Sequence, residues 1–438
     1  MLKSLTLVAT SMSLAALVQP AAAARDADAV TDLARIIEAE FYDEARAHEI
    51  ADDLRSDAAT GAFDAYRSPD ALASALTDRL SAIDRHFSVR YVGPDAVAER
   101  TRPDDGTAEN PADRPADPWA ALRRQNFGFA DVGILPGNIG YIDLRQFAPI
   151  QPAEETARAA LEFIANTDAV IIDVRQNIGG APSMVQYLIS HFLDPEEPVV
   201  INTFVSRNLD YPNQLWSLPV HPAGNRPDVP LVVLTSRNSG SAGEAFPYHL
   251  QAMERATIIG ERTYGAGNPG GTFFTDDGYA IFVSTGSARN PITGTNWEGD
   301  GVAPDIAVPA GEALETAELY LYDQLLDRDD LDPAARQAAE WGRELVAARR
   351  TPVEIDGDTL QRFAGTYGNR AFTVEDGRLV YTRAGGTPSV LLPVGRNRFA
   401  IPGNHRYRFV FDTGGRGSAP AVDMHIAGQG QRTFPRTR

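Results

Sequence analysis

Cysteine is absent from the 438-residue chain, and lysine occurs only once, at Lys3. The lack of cysteine excludes disulfides, a thiol nucleophile, a cysteine-ligated metal and a lipid anchor on cysteine. Acidic residues (59) outnumber basic ones (40), and the formal net charge of −19 argues against a nucleic-acid partner. The length is sufficient for two or three domains, each with its own hydrophobic core.

Residues 1–24 have the features of a cleaved export signal. Lys3 supplies the positive charge, Leu5 to Val18 the apolar stretch, and Ala21-Ala22-Ala23 the small residues of a cleavage site. A membrane anchor is the alternative, but about 14 apolar residues fall short of the roughly 20 that a span requires. We therefore expect a periplasmic or secreted protein with no stable membrane insertion after cleavage, and a mature chain without lysine.

Changes in pattern divide the remaining chain into four segments. Residues 25–95 carry apolar residues at helical spacing and predict a helical domain, and residues 96–125 form a linker or loop rich in Pro, Asp and Arg. Strand and helix patterns alternate over residues 126–350, which favours an α/β core with trailing helices. Short strands separated by turns fill residues 353–438 and predict a small all-β domain, either a barrel or a sandwich.

A serine follows one of the most uniformly apolar runs. Leu231 to Leu234 predict a buried parallel strand, and a polar turn leads from it to a helix that begins near Ser241. The N–H of Ala242 then has no helical partner and is free to bind an oxyanion. The alternative is that Ser241 only caps the helix. Because the mature chain lacks lysine, a nucleophilic Ser241 needs a histidine as its base.

Two further segments have the composition of a site. Asp173-Val-Arg175-Gln-Asn177-Ile-Gly179-Gly180 ends a buried strand in a glycine turn, where amides can converge on an anion. The loop 290–305 places the carboxylate of Glu298 beside a tryptophan. Taken alone, each segment is an ordinary turn.

In order along the chain, these segments and Gly260-Glu-Arg-Thr-Tyr-Gly265 resemble the carboxy-terminal-processing (tail-specific) serine peptidases over about residues 126–310. The resemblance implies a crotonase-like ββα core and protein or peptide substrates. Lysine-dependent members carry their lysine after Gly265, where this chain has Ala266. The chain is therefore similar to the branch of the tricorn core and the retinoid-binding proteins, which uses an upstream histidine and a downstream glutamate.

This resemblance implies that Ser241 is the nucleophile, His86 the base at the end of a helix and Glu298 the orienting carboxylate. It also implies that the amides of Gly180 (or Gly179) and Ala242 form the oxyanion hole. The branch has a serine before its histidine, where this chain has Arg85, so Ser88, a water or Arg85 itself remain alternatives for the link to Glu298.

Further expectations complete the sequence-based hypothesis. No cofactor is expected, and no metal, because none of the seven histidines forms a ligand-like pair. The interval from His86 to Asn126 is too short for the PDZ domain that many relatives insert there. A non-catalytic lipid-binding or peptide-binding protein on the same fold is the alternative function.

Overall fold

The computed structural model describes residues 19–101, 117–209, 211–415 and 417–437, with side chains from Asp28 onward. Residues 1–18, which hold most of the predicted signal, and residues 102–116, which are half of the predicted linker, lie outside this range. None of the helices within it combines the length and the apolar composition that a bilayer crossing needs. The chain divides into two compact units, the first comprising residues 1–117, 200–216 and 265–301, and the second residues 118–199, 217–264 and 302–438.

The helices are α1 (Gln19–Glu40), α2 (Glu44–Ala59), α3 (Pro69–Leu80), α4 (Pro94–Thr101), α5 (Ala120–Arg124), α6 (Ile150–Phe163), α7 (Pro182–His191), α8 (Ala242–Ala252), α9 (Ala313–Leu326), α10 (Pro333–Arg350) and α11 (Gly357–Phe363). The strands are β1 (Ser88–Tyr91), β2 (Phe129–Leu135), β3 (Ile139–Leu144), β4 (Ala169–Asp173), β5 (Val200–Val205), β6 (Asn213–Trp216), β7 (Leu231–Thr235), β8 (Thr257–Gly260), β9 (Gly270–Phe274), β10 (Tyr279–Ser284), β11 (Ser287–Arg289), β12 (Ile306–Ala307), β13 (Gly365–Tyr367), β14 (Arg370–Glu375), β15 (Arg378–Arg383), β16 (Ser389–Val390), β17 (Leu392–Pro393), β18 (Arg398–Ile401), β19 (Asn404–Phe411), β20 (Ala421–Ile426) and β21 (Gly430–Pro435).

The first unit is built on the predicted helices. The apolar faces of α1, α2 and α3 pack on β10 and bury residues such as Leu33, Leu76 and Ile281. Strand β10 lies between β1 and β9 in one antiparallel sheet, and β5 lies between β11 and β6 in another. Strands β9 and β10 form a hairpin across a turn that ends at Gly278, whose φ of 105° favours glycine.

The prediction that His86 ends a helix is wrong. Helix α3 stops at Leu80, and His86 lies in the turn that leads to β1. The Asp84 side chain accepts the N–H of His86 at 2.9 Å. Such a local side-chain bond offers the backbone an alternative to the helical pattern. The base candidate is therefore held by a turn, close to the first residue of a strand.

The second unit contains the predicted α/β core. Its six-stranded sheet has the order β12-β8-β7-β4-β3-β2, parallel except for the β2–β3 pair. All five residues of β4 and all five of β7 are buried, as expected of central parallel strands. Helices α6 and α8 are crossover connections. The carboxyl ends of β4 and β7 meet at one edge, so the turns that follow them are neighbours.

The end of the second unit contains the short strands predicted for residues 353–438, all in antiparallel pairs, together with helix α11. Two sheets, β13 to β16 and β17 to β21, enclose a core rich in buried aromatic rings, such as Phe372 and Phe409. Arg408 is fully buried and donates to the carbonyl of Trp341 in α10 at 2.8 Å, while its guanidinium lies 4.7 Å from the tryptophan ring centroid. This contact joins the β region to the trailing helix.

Candidate active site

Ser241 lies at a strained turn between β7 and α8. Its φ of 54° and ψ of −121° form a backbone conformation that residues with a β-carbon rarely adopt. The buried Glu244 accepts the N–H of Ser241 at 2.8 Å with one carboxylate oxygen and the hydroxyl of Thr263 at 2.5 Å with the other. A buried carboxylate therefore holds the main chain of the turn in place.

The turn after β4 packs directly against Ser241. Gly179 has a φ of 113°, and a β-carbon there would lie 2.7 Å from the Cβ of Ser241. Gly180 has a φ of 139°, and its β-carbon would lie 2.0 Å from the carbonyl oxygen of Phe147. Neither position has room for a side chain. The two glycines allow main-chain amides to approach the serine closely.

The N–H groups of Gly179 and Gly180 differ in their hydrogen bonding. Asn177 is fully buried; its Oδ1 accepts the N–H of Gly179 at 2.9 Å, and its amide nitrogen donates to the carbonyl of Leu144 at 2.8 Å. Among the described residues, the N–H groups of Gly180 and Ala242 have no hydrogen-bond partner. These two amides are therefore the pair available to a developing oxyanion, and Gly179 serves to let them approach.

Asp173 and Arg175, from the same sequence segment, have a structural role. Arg175 makes a bidentate ion pair with Asp173 and donates to the carbonyl of Ala310 at 2.5 Å. The phenol of Tyr141 donates to Asp173 at 2.8 Å. This network fixes the end of β4 to the segment before α9. The side chains of Asp173 and Arg175 are therefore engaged in structural bonds, and the glycine turn after them is the part of the segment that lies beside Ser241.

His86 lies in the first unit beside two carboxylates. Its ring stacks on Phe282 with the centroids 5.5 Å apart, and its Nδ1 atom is buried and without a hydrogen-bond partner among the described residues. Burial lowers the pKa of His86 below its ordinary value of 6.5, and the negative charge of Asp84 partly offsets this effect. The imidazole is therefore neutral at pH 7 and able to accept a proton.

Glu298 holds the main chain around His86. Its Oε1 accepts the N–H of Arg85 at 2.8 Å, and its Oε2 accepts the N–H groups of Gly267 and Asn268 at 2.6 and 3.1 Å. Burial raises the pKa of Glu298 above its ordinary 4.5, the charge of Asp84 raises it further, and the three amides oppose this rise. The link from Glu298 to the histidine segment thus passes through the main chain of Arg85.

Ala266 occupies the position where the lysine-dependent peptidases carry their base. Its side chain is buried, and its carbonyl accepts the indole N–H of Trp297 at 2.9 Å. The sequence has no lysine at this position, and the alanine side chain is buried among its neighbours.

Asp84, His86 and Glu298 bring potential ligand atoms within 4.8 Å of one another. A histidine and two carboxylates are residue types that bind divalent cations. All four carboxylate oxygens, however, already accept hydrogen bonds from main-chain amides or from an asparagine. We therefore interpret the cluster as hydrogen-bonded support of the histidine and assign no metal to it.

The structure thus groups the six predicted site residues in two sets. The second unit brings Ser241, Gly179, Gly180 and Ala242 together. The first unit brings His86 and Glu298 together. Sequence reasoning gave no role to Asn177, Glu244 and Asp84, and among these only Glu244 lies in a helix with otherwise apolar neighbours.

A serine on a tight strand-to-helix turn beside two unengaged amides is the arrangement of nucleophile and oxyanion site found in serine hydrolases. Residues 138–308 match the family described as Peptidase family S41. Over these residues, which are less than half of the 438-residue chain, the chain is similar to that family.

Several curated proteins are similar to part of this chain. It is 25% identical over 190 residues to carboxy-terminal processing protease CtpB of Bacillus subtilis (strain 168), covering 43% of this chain and 38% of that protein. It is 31% identical over 158 residues to a carboxyl-terminal-processing protease of Synechocystis, covering 36% and 35%. It is 28% identical over 182 residues to the tricorn protease of Thermoplasma volcanium, covering 39% and 15%. The chain thus spans less than half the length of each of these relatives.

Proposed function

We propose that the protein is an exported serine peptidase that hydrolyses peptide bonds in protein or peptide substrates. Ser241 is the nucleophile, His86 the general base, and Glu298 supports the base. The observation that carries the proposal is the strained main chain of Ser241 at the start of α8, beside the unengaged amides of Gly180 and Ala242. Strain of this kind costs about 1–3 kcal/mol and is typical of functional positions.

Acyl transfer proceeds in two halves. The Oγ of Ser241 attacks the substrate carbonyl carbon while His86 takes the hydroxyl proton. The N–H groups of Gly180 and Ala242 bind the oxyanion of the tetrahedral intermediate. His86 then gives the proton to the leaving amine, and a water molecule hydrolyses the acyl-enzyme by the same route.

The environment of His86 suits a general base. Its lowered pKa keeps the imidazole neutral at pH 7, and the charge of Asp84 stabilises the imidazolium that forms when it accepts a proton. The mechanism requires an imidazole nitrogen within about 3 Å of the Ser241 oxygen in the working enzyme. His249 is unsuited to this role because it is buried on α8 and burial lowers its pKa to about 3.

Active-site labelling tests the nucleophile directly. A fluorophosphonate probe is expected to add its mass to the peptide that contains Ser241, and the Ser241→Ala variant is expected to lose both the label and cleavage of an unfolded protein. Labelling of another serine, or no labelling of a folded protein, would reject the assignment.

A pair of histidine variants tests the base. His86→Ala is expected to lower kcat by at least a hundredfold, because general-base catalysis is worth about 10²–10⁴ in rate. His48→Ala is the matched control, since His48 belongs to the same unit and its side chain is 54% exposed. Equal activity of the two variants would remove His86 from the mechanism.

Export is proposed from the signal-like residues 1–24. The expected result is a mature protein in the periplasm or the medium whose amino terminus lies just after the alanine run. N-terminal sequencing of that fraction checks this, and an intact Met1 in the exported protein would contradict the signal assignment.

A further inference from the structure

Asp84 is a buried carboxylate beside the proposed base that the mechanism above does not require. Its residue surface is only 2% exposed. Its Oδ1 accepts the main-chain N–H of His86 at 2.9 Å, and its Oδ2 accepts the side-chain amide of Asn268 at 3.0 Å. Both oxygens are therefore hydrogen-bonded, Oδ1 to the segment that carries the imidazole and Oδ2 to Asn268.

These bonds belong to a closed ring. The main-chain N–H of Asn268 donates to Glu298 at 3.1 Å, and Glu298 accepts the N–H of Arg85, the neighbour of Asp84. The Oδ1 of Asn268 accepts the side chain of Asn296 at 3.1 Å, which leaves its amide nitrogen directed at Asp84. The ring passes from Asp84 to Asn268, then to Glu298, then to Arg85, which is covalently joined to Asp84. It holds the turn that carries His86 through both Asp84 and Arg85.

The imidazole lies next to this ring. Potential ligand atoms of Asp84, His86 and Glu298 are within 4.8 Å of one another, yet Nδ1 of His86 has no hydrogen-bond partner in the described part of the chain. The phenol of Tyr42 also interacts with both carboxylates and with Asn268. The groups that lie beside the imidazole are thus the carboxylates of Asp84 and Glu298 and the ring of Phe282.

On the basis of the proposed function, we propose that Asp84 is a positioning residue for the base His86. Its hydrogen bonds set the main chain that presents the imidazole, and its negative charge stabilises the imidazolium formed during proton transfer from Ser241. Glu298 holds the same turn from the opposite side through Arg85. Both carboxylates therefore hold the backbone of the base, and Asp84 is the one whose charge we assign to stabilising the imidazolium.

The variant Asp84→Asn tests this division, because it keeps the size of the side chain and removes its charge. We expect the pKa of His86, followed by NMR titration and assigned with His86→Gln, to fall by about one unit. We expect kcat to fall about tenfold with little change in KM. Asp78→Asn is the matched control, because Asp78 is an exposed residue of α3 in the same unit.

The NMR readout needs no turnover, so it separates this inference from the proposed function. An unchanged His86 pKa and unchanged kcat in Asp84→Asn would overturn the role of Asp84 even if Ser241→Ala is inactive. A lowered His86 pKa would support the role of Asp84 even if Ser241→Ala kept its activity and the peptidase proposal failed. Asp84→Ala should show the same pKa change, with a larger loss of thermal stability because two donors lose their acceptor.

Discussion

The main-chain N–H of Arg85 donates to Glu298 Oε1 at 2.8 Å, across 213 positions of sequence. The sequence left the link between Glu298 and the histidine segment open, with the Arg85 side chain, Ser88 or a water as alternatives. In the structure, the link is made by the main-chain N–H of Arg85. A serine before the histidine is therefore not needed for the glutamate to reach this turn.

We expect Arg85→Ala to keep kcat/KM within about twofold, as is usual for an exposed side chain. Glu298→Gln should lower kcat/KM by roughly tenfold to a hundredfold, because it loses charged hydrogen bonds to several amides. Steady-state kinetics on one unfolded protein substrate compare the two variants. An Arg85→Ala enzyme as impaired as Glu298→Gln would mean that the arginine side chain forms the working link.

The strain at Ser241 predicts an unusual order of stabilities. Ser241→Gly and Ser241→Ala both remove the hydroxyl, but only glycine adopts a φ of 54° and a ψ of −121° without strain. We expect the glycine variant to be more stable than the alanine variant by about 0.5–1 kcal/mol, although glycine is normally the less stable choice. Urea unfolding of the two inactive proteins measures the difference, and a less stable glycine variant would argue against backbone strain.

The pH dependence of kcat/KM should have its acid limb below 6.5. The base must be neutral to act, and burial lowers the pKa of His86 from 6.5, so activity is retained as the pH falls to 6.5 and is lost on passing the lowered pKa. A pH–rate profile with a substrate lacking groups that titrate in this range checks the limb. A limb near pH 9 would indicate a base other than an imidazole.

His191 is expected to make the protein sensitive to acid. It is fully buried, its Nδ1 is bonded to the carbonyl of Gly224, and burial lowers its pKa from 6.5 to about 4, with His221, Arg226 and Arg255 adding to the effect. The unfolded chain binds the proton more readily, so stability falls from about pH 6.5 downwards and the loss is complete near pH 4. The full effect is on the order of 3 kcal/mol.

The variant His191→Asn retains a donor toward Gly224 but does not titrate. We expect its free energy of unfolding to depend less on pH between 6.5 and 4 than that of the wild type, whereas exposed His48→Asn should behave as the wild type does. Denaturant titrations at several pH values give this comparison. If the free energy of unfolding had the same pH dependence in all three proteins, His191 would not contribute to the loss of stability in acid.

Local sequence patterns were sufficient for the framework of the core. The apolar runs at residues 169–172 and 231–234 lie in central strands, as expected of residues buried on both faces of a parallel sheet. The polar turn and the serine after the second run gave the start of α8 correctly. Burial pattern and capping chemistry are local properties, and a single sequence contains them.

Features that depend on distant residues were not accessible in this way. Helix α3 ends at Leu80, and the N–H of His86 donates to Asp84 in the turn that follows, whereas the apolar periodicity predicted a helix that continued to His86. The choice between Gly179 and Gly180 depends on Asn177, whose buried side chain takes up one of the two amides. A main-chain link such as that of Arg85 has no sequence signature, because every residue except proline has an N–H.

The bonds that hold position 241 run through its main chain. Its N–H is bonded to Glu244, and its carbonyl accepts the N–H groups of Glu244 and Ala245 at 2.8 and 3.0 Å. The main-chain geometry of the turn beside Gly180 therefore does not depend on a bond from the side chain of residue 241. On the basis of the proposed function, a protein with alanine at this position is expected to bind its substrates without cleaving them, and so to allow their recovery as a complex.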